Sequence, residues 1–209
     1  MARYERKDHL HQRAKKEGLR SRAAYKLEEV QKSFRLLSRG QKIFDLGCWP
    51  GGWLEVAAGL VGPKGRVVGV DRAEIAPPIE ARQVVSLVGD LEDPDIADRL
   101  RAVLGADRAD VVLSDAAPKL TGIRETDRAN EERLLEAIEA LLPGLLVRGG
   151  SLLIKILEGP EAQVVDKRIR ALFDKAKTVK LQSTRKGSTE RYLVARGFCP
   201  DGEGAPRSR

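Results

Sequence analysis

The stretch FDLGCWPGGW, residues 44–53, decides the fold, because an apolar strand ends there in an acid and a glycine-rich turn. Gly47, Gly51 and Gly52 allow the backbone to turn sharply and to approach a ligand closely. The next segment, residues 52–61, has the length of a helix, so free backbone amides at its start face the turn. The glycine spacing is G-x-x-x-G-G and differs from the G-x-G-x-x-G pattern that binds a dinucleotide pyrophosphate. The stretch therefore predicts a strand, turn and helix that together bind a ligand.

Strand-like and helix-like segments alternate from residue 41 onward. Strands are predicted at 42–47, 66–71, 84–89, 109–115, 151–157, 178–183 and 191–195. Helices are predicted at 52–61, 75–82 (interrupted by two prolines), 94–104, 127–147 and 161–176. This alternation indicates a parallel sheet with helices on both faces, and the short last connection permits only an antiparallel hairpin. The predicted fold class is α/β: a seven-stranded, mostly parallel sheet with an antiparallel last strand, as in Rossmann-like S-adenosylmethionine-dependent methyltransferases.

The two ends of the chain differ from this body. Residues 1–20 are predicted to be a basic N-terminal arm, of which residues 1–18 are mobile. Residues 21–199 are predicted to be a single domain and residues 200–209 a flexible tail. Within the domain, Ser21 is expected to cap a helix over residues 21–36. The apolar residues of that helix recur at helical spacing and predict a buried stripe of Ala23, Leu27, Val30 and Phe34.

The composition indicates no disulfide framework, metal site or membrane span. The only cysteines, Cys48 and Cys199, lie in no C-x-x-C or histidine-rich setting. The longest apolar runs fall short of the roughly 18 residues of a membrane span, and the charged N-terminus has no apolar signal region. We therefore expect a soluble, cytoplasmic, monomeric protein that needs no metal.

The chain has a net charge of +7 and two regions in which Lys and Arg are clustered. Residues 1–39 contain twelve Lys and Arg against five Asp and Glu, and so account for the whole excess. Residues 175–196 contain seven Lys and Arg against Glu190 alone. Clustered cations on a neutral body favour a polyanionic partner, because binding to phosphates releases counterions. An ordinary solvated basic surface is the alternative.

Three successive predicted strands end in an acid at the same edge of the sheet. Asp45 closes the first strand, Asp71 ends the second, where it can bind ribose hydroxyls, and Asp90 follows the third, where it can accept from an adenine amino group. Each acid alone is also typical of a turn or a helix cap. Together with Gly47 and the rest of the glycine turn, they predict a cofactor pocket. Its negative charge suits a sulfonium cation better than a diphosphate, which favours S-adenosylmethionine. Asp45 either braces the turn or meets the methionine ammonium.

Lys155 is out of place, because it lies between two isoleucines in an apolar strand. A buried, unpaired ammonium is costly, so a partner or a function is expected. If the strand order there is four, five, seven, its neighbours are Asp115 at the end of the fourth strand and Glu190 just before the last. Lys26, on the buried side of the N-terminal helix, would close the group. For each lysine alone, a side chain that extends to the surface is the other explanation.

Seven segments, in their order and spacing, closely resemble the RrmJ/FtsJ family of RNA ribose 2′-O-methyltransferases: GLRSRAAYKLEEVQ, DLGCWPGGW, GVD, GD, LSDAAP, LIKIL and STERYLVA. The likeness covers nearly all of residues 18–196. It implies a catalytic tetrad of Lys26, Asp115, Lys155 and Glu190, with Lys155 at its centre. It also implies S-adenosylmethionine contacts by Gly51, Trp53, Asp71, Asp90 and Asp115. The sequence departs from the family where alanines are often found, at Cys48 and Trp49, and where Asn is often found, at Lys119.

The hypothesis is in-line transfer of the sulfonium methyl to a ribose 2′-hydroxyl. That hydroxyl is a poor nucleophile until a positioned base removes its proton. Desolvation and the nearby Lys26 favour a neutral amine at Lys155, whereas Asp115 and Glu190 favour the ammonium. Lys155 is therefore either the base or a group that orients the hydroxyl and stabilises oxyanion charge.

The RNA is expected to bind mainly through its phosphates. Its predicted contacts are the basic arm, Arg20, Arg22, Arg185 and Lys186. The resemblance implies ribosomal RNA or the large ribosomal subunit as partner, with a uridine of the large-subunit RNA as target. Three alternatives stay open at this point: transfer RNA as the substrate, a nicotinamide-dependent oxidoreductase, and a non-catalytic RNA-binding assembly factor.

Overall fold

The computed structural model describes residues 9–119, 121–156, 160–185 and 187–200. The first eight residues of the predicted arm and residues 201–209 of the predicted tail lie outside these ranges. The helices are α1 (His9–Lys16), α2 (Ala24–Phe34), α3 (Gly52–Val61), α4 (Ile96–Leu104), α5 (Arg124–Leu145) and α6 (Pro160–Ala171). The strands are β1 (Lys42–Leu46), β2 (Arg66–Asp71), β3 (Val84–Val88), β4 (Ala109–Ser114), β5 (Leu146–Ile156), β6 (Phe173–Val179) and β7 (Arg191–Phe198).

The strands form one sheet in the order β3-β2-β1-β4-β5-β7-β6. β1 to β5 pair in parallel, whereas β7 lies antiparallel between β5 and β6. The predicted fold class and the predicted order of the fourth, fifth and seventh strands are confirmed. In this register Lys155 of β5 lies directly opposite Tyr192 of β7, so their side chains share one face of the sheet.

Each face of the sheet is covered by its own apolar cluster. Helices α4, α5 and α6 pack against one face, and α2 and α3 pack against the other. The buried stripe predicted for α2 is confirmed, since Leu27 and Val30 are fully buried and Ala23 and Phe34 pack beside them. Docking of this stripe places Lys26, one residue before Leu27, over the carboxyl edge of the sheet. No helix in the described ranges is long and apolar enough to cross a membrane.

The sixth strand begins earlier than predicted, and the preceding helix is correspondingly shorter. β6 starts at its Phe173, which pairs with Phe198 of β7 at a ring-centroid distance of 5.2 Å. Beyond β6 the chain leaves the sheet, because the Glu29 carboxylate accepts hydrogen bonds from two successive backbone N–H groups, the second that of Ser183 at 3.0 Å. The prediction of a strand at 178–183 was therefore wrong in position.

The N-terminal region also differs from prediction. α2 covers Ala24–Phe34, and its N-cap residue is Ala23, which makes no side-chain capping bond. Ser21 does not cap it, because its hydroxyl packs against Gly52, where an added Cβ would overlap it. Residues 9–16, expected to belong to a mobile arm, form α1.

The helix predicted at 75–82 does not form, and an irregular loop occupies its place. Two consecutive prolines lack the N–H groups that a helix requires. The guanidinium of Arg20 instead donates to the carbonyl oxygens of Pro77 and Pro78 at 2.6 and 2.8 Å. The remaining predicted elements are found with their ends moved; β5 in particular starts at Leu146, directly after α5.

Candidate active site

A cavity of about 430 Å³ opens beyond the carboxyl ends of β1 to β4. Chain order reverses between β1 and β4, and the carboxyl edge at such a switch point is where open α/β sheets bind ligands. The volume of the cavity lies in the range of small-molecule binding sites. The lining residues are Gly47, Trp49, Val70, Asp71, Arg72, Gly89, Asp90, Leu91, Glu92, Asp115, Ala116, Ala117, Pro118, Lys119, Asn130, Arg133 and Leu134.

Four of the residues predicted to bind the cofactor line this cavity: Gly47, Asp71, Asp90 and Asp115. Gly47 has a φ of 83°, and an added Cβ would lie 2.5 Å from the Cβ of Ala116, so only glycine fits there. The Asp71 carboxylate accepts the backbone N–H of Trp49 at 3.0 Å and that of Ala73 at 2.9 Å. Asp71 therefore joins the β1 turn to the β2 turn and fixes the cavity floor.

Two predicted cofactor residues, Gly51 and Trp53, lie behind the turn and not in the cavity wall. Gly51 has a φ of 104° and packs against the Arg20 side chain, whose Cδ would lie 3.0 Å from an added Cβ. Trp53 is 3% exposed, and its indole N–H donates to the carbonyl oxygen of Ala23 at 2.8 Å. In the structure, these residues join α3 to the start of α2.

Asp45 lies within the sheet at the carboxyl end of β1 and is only 1% exposed. Its Oδ2 atom is buried and has no hydrogen-bond partner among the described residues. Burial raises the pKa of this carboxyl well above its ordinary value, and the nearby Asp115 and Asp71 raise it further. A buried acid with an unused acceptor, beside a cavity of ligand size, favours a ligand that carries a positively charged group.

The cavity contains more positive charge than the strand-end acids alone suggest. Its four carboxylates, Asp71, Asp90, Glu92 and Asp115, face Arg72, Lys119 and Arg133. Arg72 contacts Asp90 at 2.6 Å, and Arg133 contacts Glu92 at 3.3 Å. The predicted preference for a cation therefore rests on Asp71 and Asp115 in the cavity wall and on the buried Asp45 near them. Within the described ranges, no three His, Cys, Asp or Glu side chains could together hold a metal ion.

The four residues of the predicted tetrad meet around Asp115, the member of the group that lines the cavity. Lys155 Nζ lies 2.6 Å from the Asp115 carbonyl oxygen and 3.3 Å from its Oδ1. Lys26 Nζ lies 3.2 Å from Asp115 Oδ2 and 2.5 Å from Glu190 Oε1. Asp115 thus contacts both ammonium groups, whereas the contact of Glu190 is with Lys26. The four side chains remain 10–17% exposed, so the group is nearly buried but open to an incoming substrate.

Tyr192 belongs to the same group and was missed by the sequence analysis. Its side chain is fully buried, and its hydroxyl oxygen lies 2.7 Å from Lys26 Nζ, 2.7 Å from Asp115 Oδ1 and 2.5 Å from Glu190 Oε1. The hydroxyl accepts from Lys26 and donates its one proton to a carboxylate. Burial and the two carboxylates raise the pKa of the phenol, so it stays protonated. Its register opposite Lys155 would have identified it.

The Asp115 carboxyl is ionised despite its burial. Burial alone would raise its pKa, but the ammonium groups of Lys155 and Lys26 and the hydrogen bond from Tyr192 hold the pKa below its ordinary value. The result is a fixed negative charge between two lysines. Such a group can hold an amine in one orientation at the edge of the cavity.

We expect Tyr192→Phe to reduce methyl transfer by about 10- to 100-fold, because Lys26 and the carboxylates lose the hydroxyl that fixes their geometry. The unfolding free energy should also fall by about 1–3 kcal/mol, since buried polar groups lose a partner. The matched control is Tyr25→Phe, which removes a hydroxyl that donates to Glu17 at 2.7 Å, outside the tetrad. Steady-state kinetics should show a lower kcat for Tyr192→Phe with an unchanged cofactor KM. A loss of stability with unchanged kcat would make Tyr192 purely structural.

The residues predicted to bind RNA have different environments. Arg20 is used within the fold: it pairs with Glu55 at 2.8 Å and holds the loop at Pro77 and Pro78. Arg22 donates to the carbonyl oxygen of Ser183, and its pKa is lowered by burial and by the neighbouring Arg185. Lys186 lies outside the described residues.

Most of the chain matches a known protein family. A family model, the FtsJ-like methyltransferase, matches residues 19–198. The chain belongs to this family. It is therefore a methyltransferase with S-adenosylmethionine as its cofactor, as predicted, and the nicotinamide alternative is not supported. The family match covers the α2 helix, the cavity and the tetrad, and it ends at the last residue of β7.

Relatives of this FtsJ-like methyltransferase match it over most of their length. The ribosomal RNA large subunit methyltransferase E of Methanothermobacter thermautotrophicus is 43% identical over 192 residues, which cover 92% of this chain and 90% of the relative. A Plasmodium falciparum chain assigned as a ribosomal RNA methyltransferase superposes with a TM-score of 0.73 at 26% identity, covering 86% of this chain and 98% of that one. The same fold is found in Aeropyrum pernix fibrillarin with bound S-adenosyl-L-methionine. That structure superposes with a TM-score of 0.60 at 20% identity, covering 82% of this chain and 75% of that one.

Proposed function

We propose that this chain transfers a methyl group from S-adenosylmethionine to a ribose 2′-hydroxyl of RNA. The observation that supports this reaction best is the position of Lys155. Its ammonium is held by two oxygens of Asp115 at 2.6 and 3.3 Å, and Asp115 in turn lines the cavity wall. An alcohol needs such a positioned, charged group to lose its proton or to stabilise the oxyanion.

The residues of the cavity fit the cofactor. We propose that the unused Oδ2 of Asp45, two residues before the cavity-lining Gly47, meets the methionine ammonium. Asp71 retains acceptor capacity for ribose hydroxyls beyond its two backbone hydrogen bonds. Asp90 lies farther along the wall, where we propose that it meets the adenine. When bound, S-adenosylmethionine supplies an electrophilic methyl group on a sulfonium.

Lys155 is the residue that contacts the acceptor hydroxyl in this proposal. Its ammonium has three donors, and the contacts made by the described residues account for two of them, both to Asp115. We propose that the third donates to the acceptor oxygen. Lys26, held by Asp115 and Glu190, keeps a second positive charge beside the site. The two ammonium groups stabilise the oxyanion that forms as the hydroxyl proton passes to water. Fixing the hydroxyl in one place accounts for much of the acceleration.

We propose ribosomal RNA of the large subunit as the substrate, with a uridine as the methylated nucleotide. The support is the name of the relatives, ribosomal RNA large subunit methyltransferase E, at 37–43% identity over 92% of this chain. Arg185 is close enough to lower the pKa of Arg22, and we propose that the two guanidinium groups bind a phosphate of the RNA. The cytoplasmic location, the monomeric state and the domain limits at residues 20 and 199 stay predictions.

Methylation with a labelled methyl donor tests the proposal. Purified chain is incubated with large-subunit ribosomal RNA, with intact large subunits and, separately, with transfer RNA. A 2′-O-methyl group blocks attack of that oxygen on the next phosphate, so the labelled product should survive alkali as a dinucleotide that begins with uridine. Label released as a free mononucleotide would refute ribose methylation, label in transfer RNA alone would replace the substrate, and RNA binding without label would indicate an assembly factor.

A further inference from the structure

Trp49 is an exposed aromatic side chain at the rim of the cofactor cavity. It lines the cavity, yet 57% of it is exposed, and it is the only aromatic among the large exposed apolar side chains of the described residues. The β1 turn does not need this indole, since the backbone already closes it with a 2.7 Å hydrogen bond from Gly51 N–H to the carbonyl oxygen of Cys48. An apolar group left in water beside a binding site indicates contact with a partner.

The backbone of Trp49 is fixed although its side chain is exposed. Its N–H donates to Asp71 Oδ2 at 3.0 Å, and Pro50 follows it. A rigid aromatic ring loses little conformational freedom when it stacks on a flat partner.

The exposure of Trp49 at the rim fits an RNA partner better than the cofactor. A polymer cannot enter a cavity of about 430 Å³, so the nucleotides flanking the target ribose must cross the rim while that ribose reaches Lys155. More than half of Trp49 faces outward from that rim. Two cations that also line the cavity, Arg72 and Lys119, are exposed there. Cations for phosphates beside an aromatic ring for bases are the combination with which proteins bind single-stranded nucleic acid.

We propose that Trp49 is a nucleobase-stacking residue: its indole stacks on an unpaired base next to the nucleotide that is methylated. The proposal rests on the proposed function of the site, because it takes RNA as the substrate. Stacking on an aromatic side chain tolerates any base. The role of Trp49 is therefore to hold a single-stranded stretch across the rim, while other contacts select the sequence.

Equilibrium binding tests the proposal without turnover. Wild type, Trp49→Ala and Trp49→Phe are titrated with an oligouridylate of about ten nucleotides and with an abasic ribose-phosphate chain of equal length, each with saturating S-adenosylhomocysteine. Trp49→Ala should bind the oligouridylate about 5- to 100-fold more weakly, and Trp49→Phe should stay close to wild type. The abasic chain should bind all three equally. Affinity for S-adenosylhomocysteine, measured by calorimetry, should not change.

Tryptophan fluorescence gives a second readout, because the chain contains only Trp49 and Trp53 and the latter is 3% exposed. The oligouridylate should quench the wild-type emission and leave that of Trp49→Ala unchanged. Equal oligouridylate binding by wild type and Trp49→Ala overturns the stacking role alone. So does weaker S-adenosylhomocysteine binding by Trp49→Ala with unaltered RNA binding, because the indole would then be a cofactor contact. A wild type that binds neither RNA chain overturns the proposed RNA function itself.

Discussion

Replacing Lys155 with methionine should reduce methyl transfer by about 10²- to 10⁴-fold, the range attributed to a positioned proton-transfer or charge-stabilising group. Methionine has a similar length and fills the same place in β5, so the apolar strand should remain packed. What disappears is the ammonium that Asp115 holds at 2.6 and 3.3 Å from two of its oxygens. The single-turnover rate with labelled S-adenosylmethionine and RNA measures this loss directly.

The cofactor affinity of Lys155→Met separates chemistry from binding. Lys155 lies outside the wall of the main cavity, so calorimetry should give a dissociation constant for S-adenosylmethionine within a few-fold of wild type. Lys64→Ala, which removes an exposed lysine of the turn between α3 and β2, outside both basic regions, is the matched control and should transfer methyl groups normally. Transfer by Lys155→Met above about a tenth of the wild-type rate would refute the assignment, since removing such a group costs at least 10²-fold.

The fold was predictable because its determinants are local and repeated. Each of β1 to β4 is a short apolar run. The first three strands each have an acid at or just after their carboxyl end: Asp45, Asp71 and Asp90. The order of the elements was therefore enough to predict the edge of the sheet at which the ligand site lies. The errors lie where distant residues decide. β6 is shifted because Phe198 pairs with its first residue and Glu29 takes the chain off the sheet afterwards. Neither contact has a signature in the local sequence.

The charged residues of the site could be predicted from the sequence, whereas the aromatic residues that pack beside them could not. Lys155 was conspicuous because an ammonium in an apolar strand violates the pattern. Tyr192 was not, because tyrosine is common in buried strands, and its hydroxyl matters only through a register that joins β7 to β5. Trp53 lies behind the turn, where its indole bonds the Ala23 carbonyl oxygen 30 residues away. Such a contact depends on how α2 docks, which no local pattern specifies.

Replacing Asp115 with asparagine should remove both activity and stability, because this carboxylate contacts two ammonium groups and also lines the cavity. Lys155 loses its charged partner, so transfer should fall by at least about 10²-fold. Removing one partner of a buried ion pair leaves an uncompensated charge, which should lower the unfolding free energy by about 3 kcal/mol at neutral pH. Urea unfolding measures it, with the exposed Asp107→Asn as a control that should lie within about 0.5 kcal/mol of wild type.

The stability difference between wild type and Asp115→Asn should depend on pH in one direction. The lysines hold the pKa of Asp115 in the folded state below its unfolded value near 3.9, so the charged carboxylate contributes its full stabilisation above about pH 4. As pH falls through the lowered folded pKa, the folded state takes up the proton and this contribution is lost. The difference should therefore be equal at about pH 7 and pH 5 and smaller at about pH 3. If the stability difference between wild type and Asp115→Asn grew on acidification, burial and not the two ammonium groups would dominate the pKa of Asp115. Lys155 would then lack the fixed negative charge that orients it.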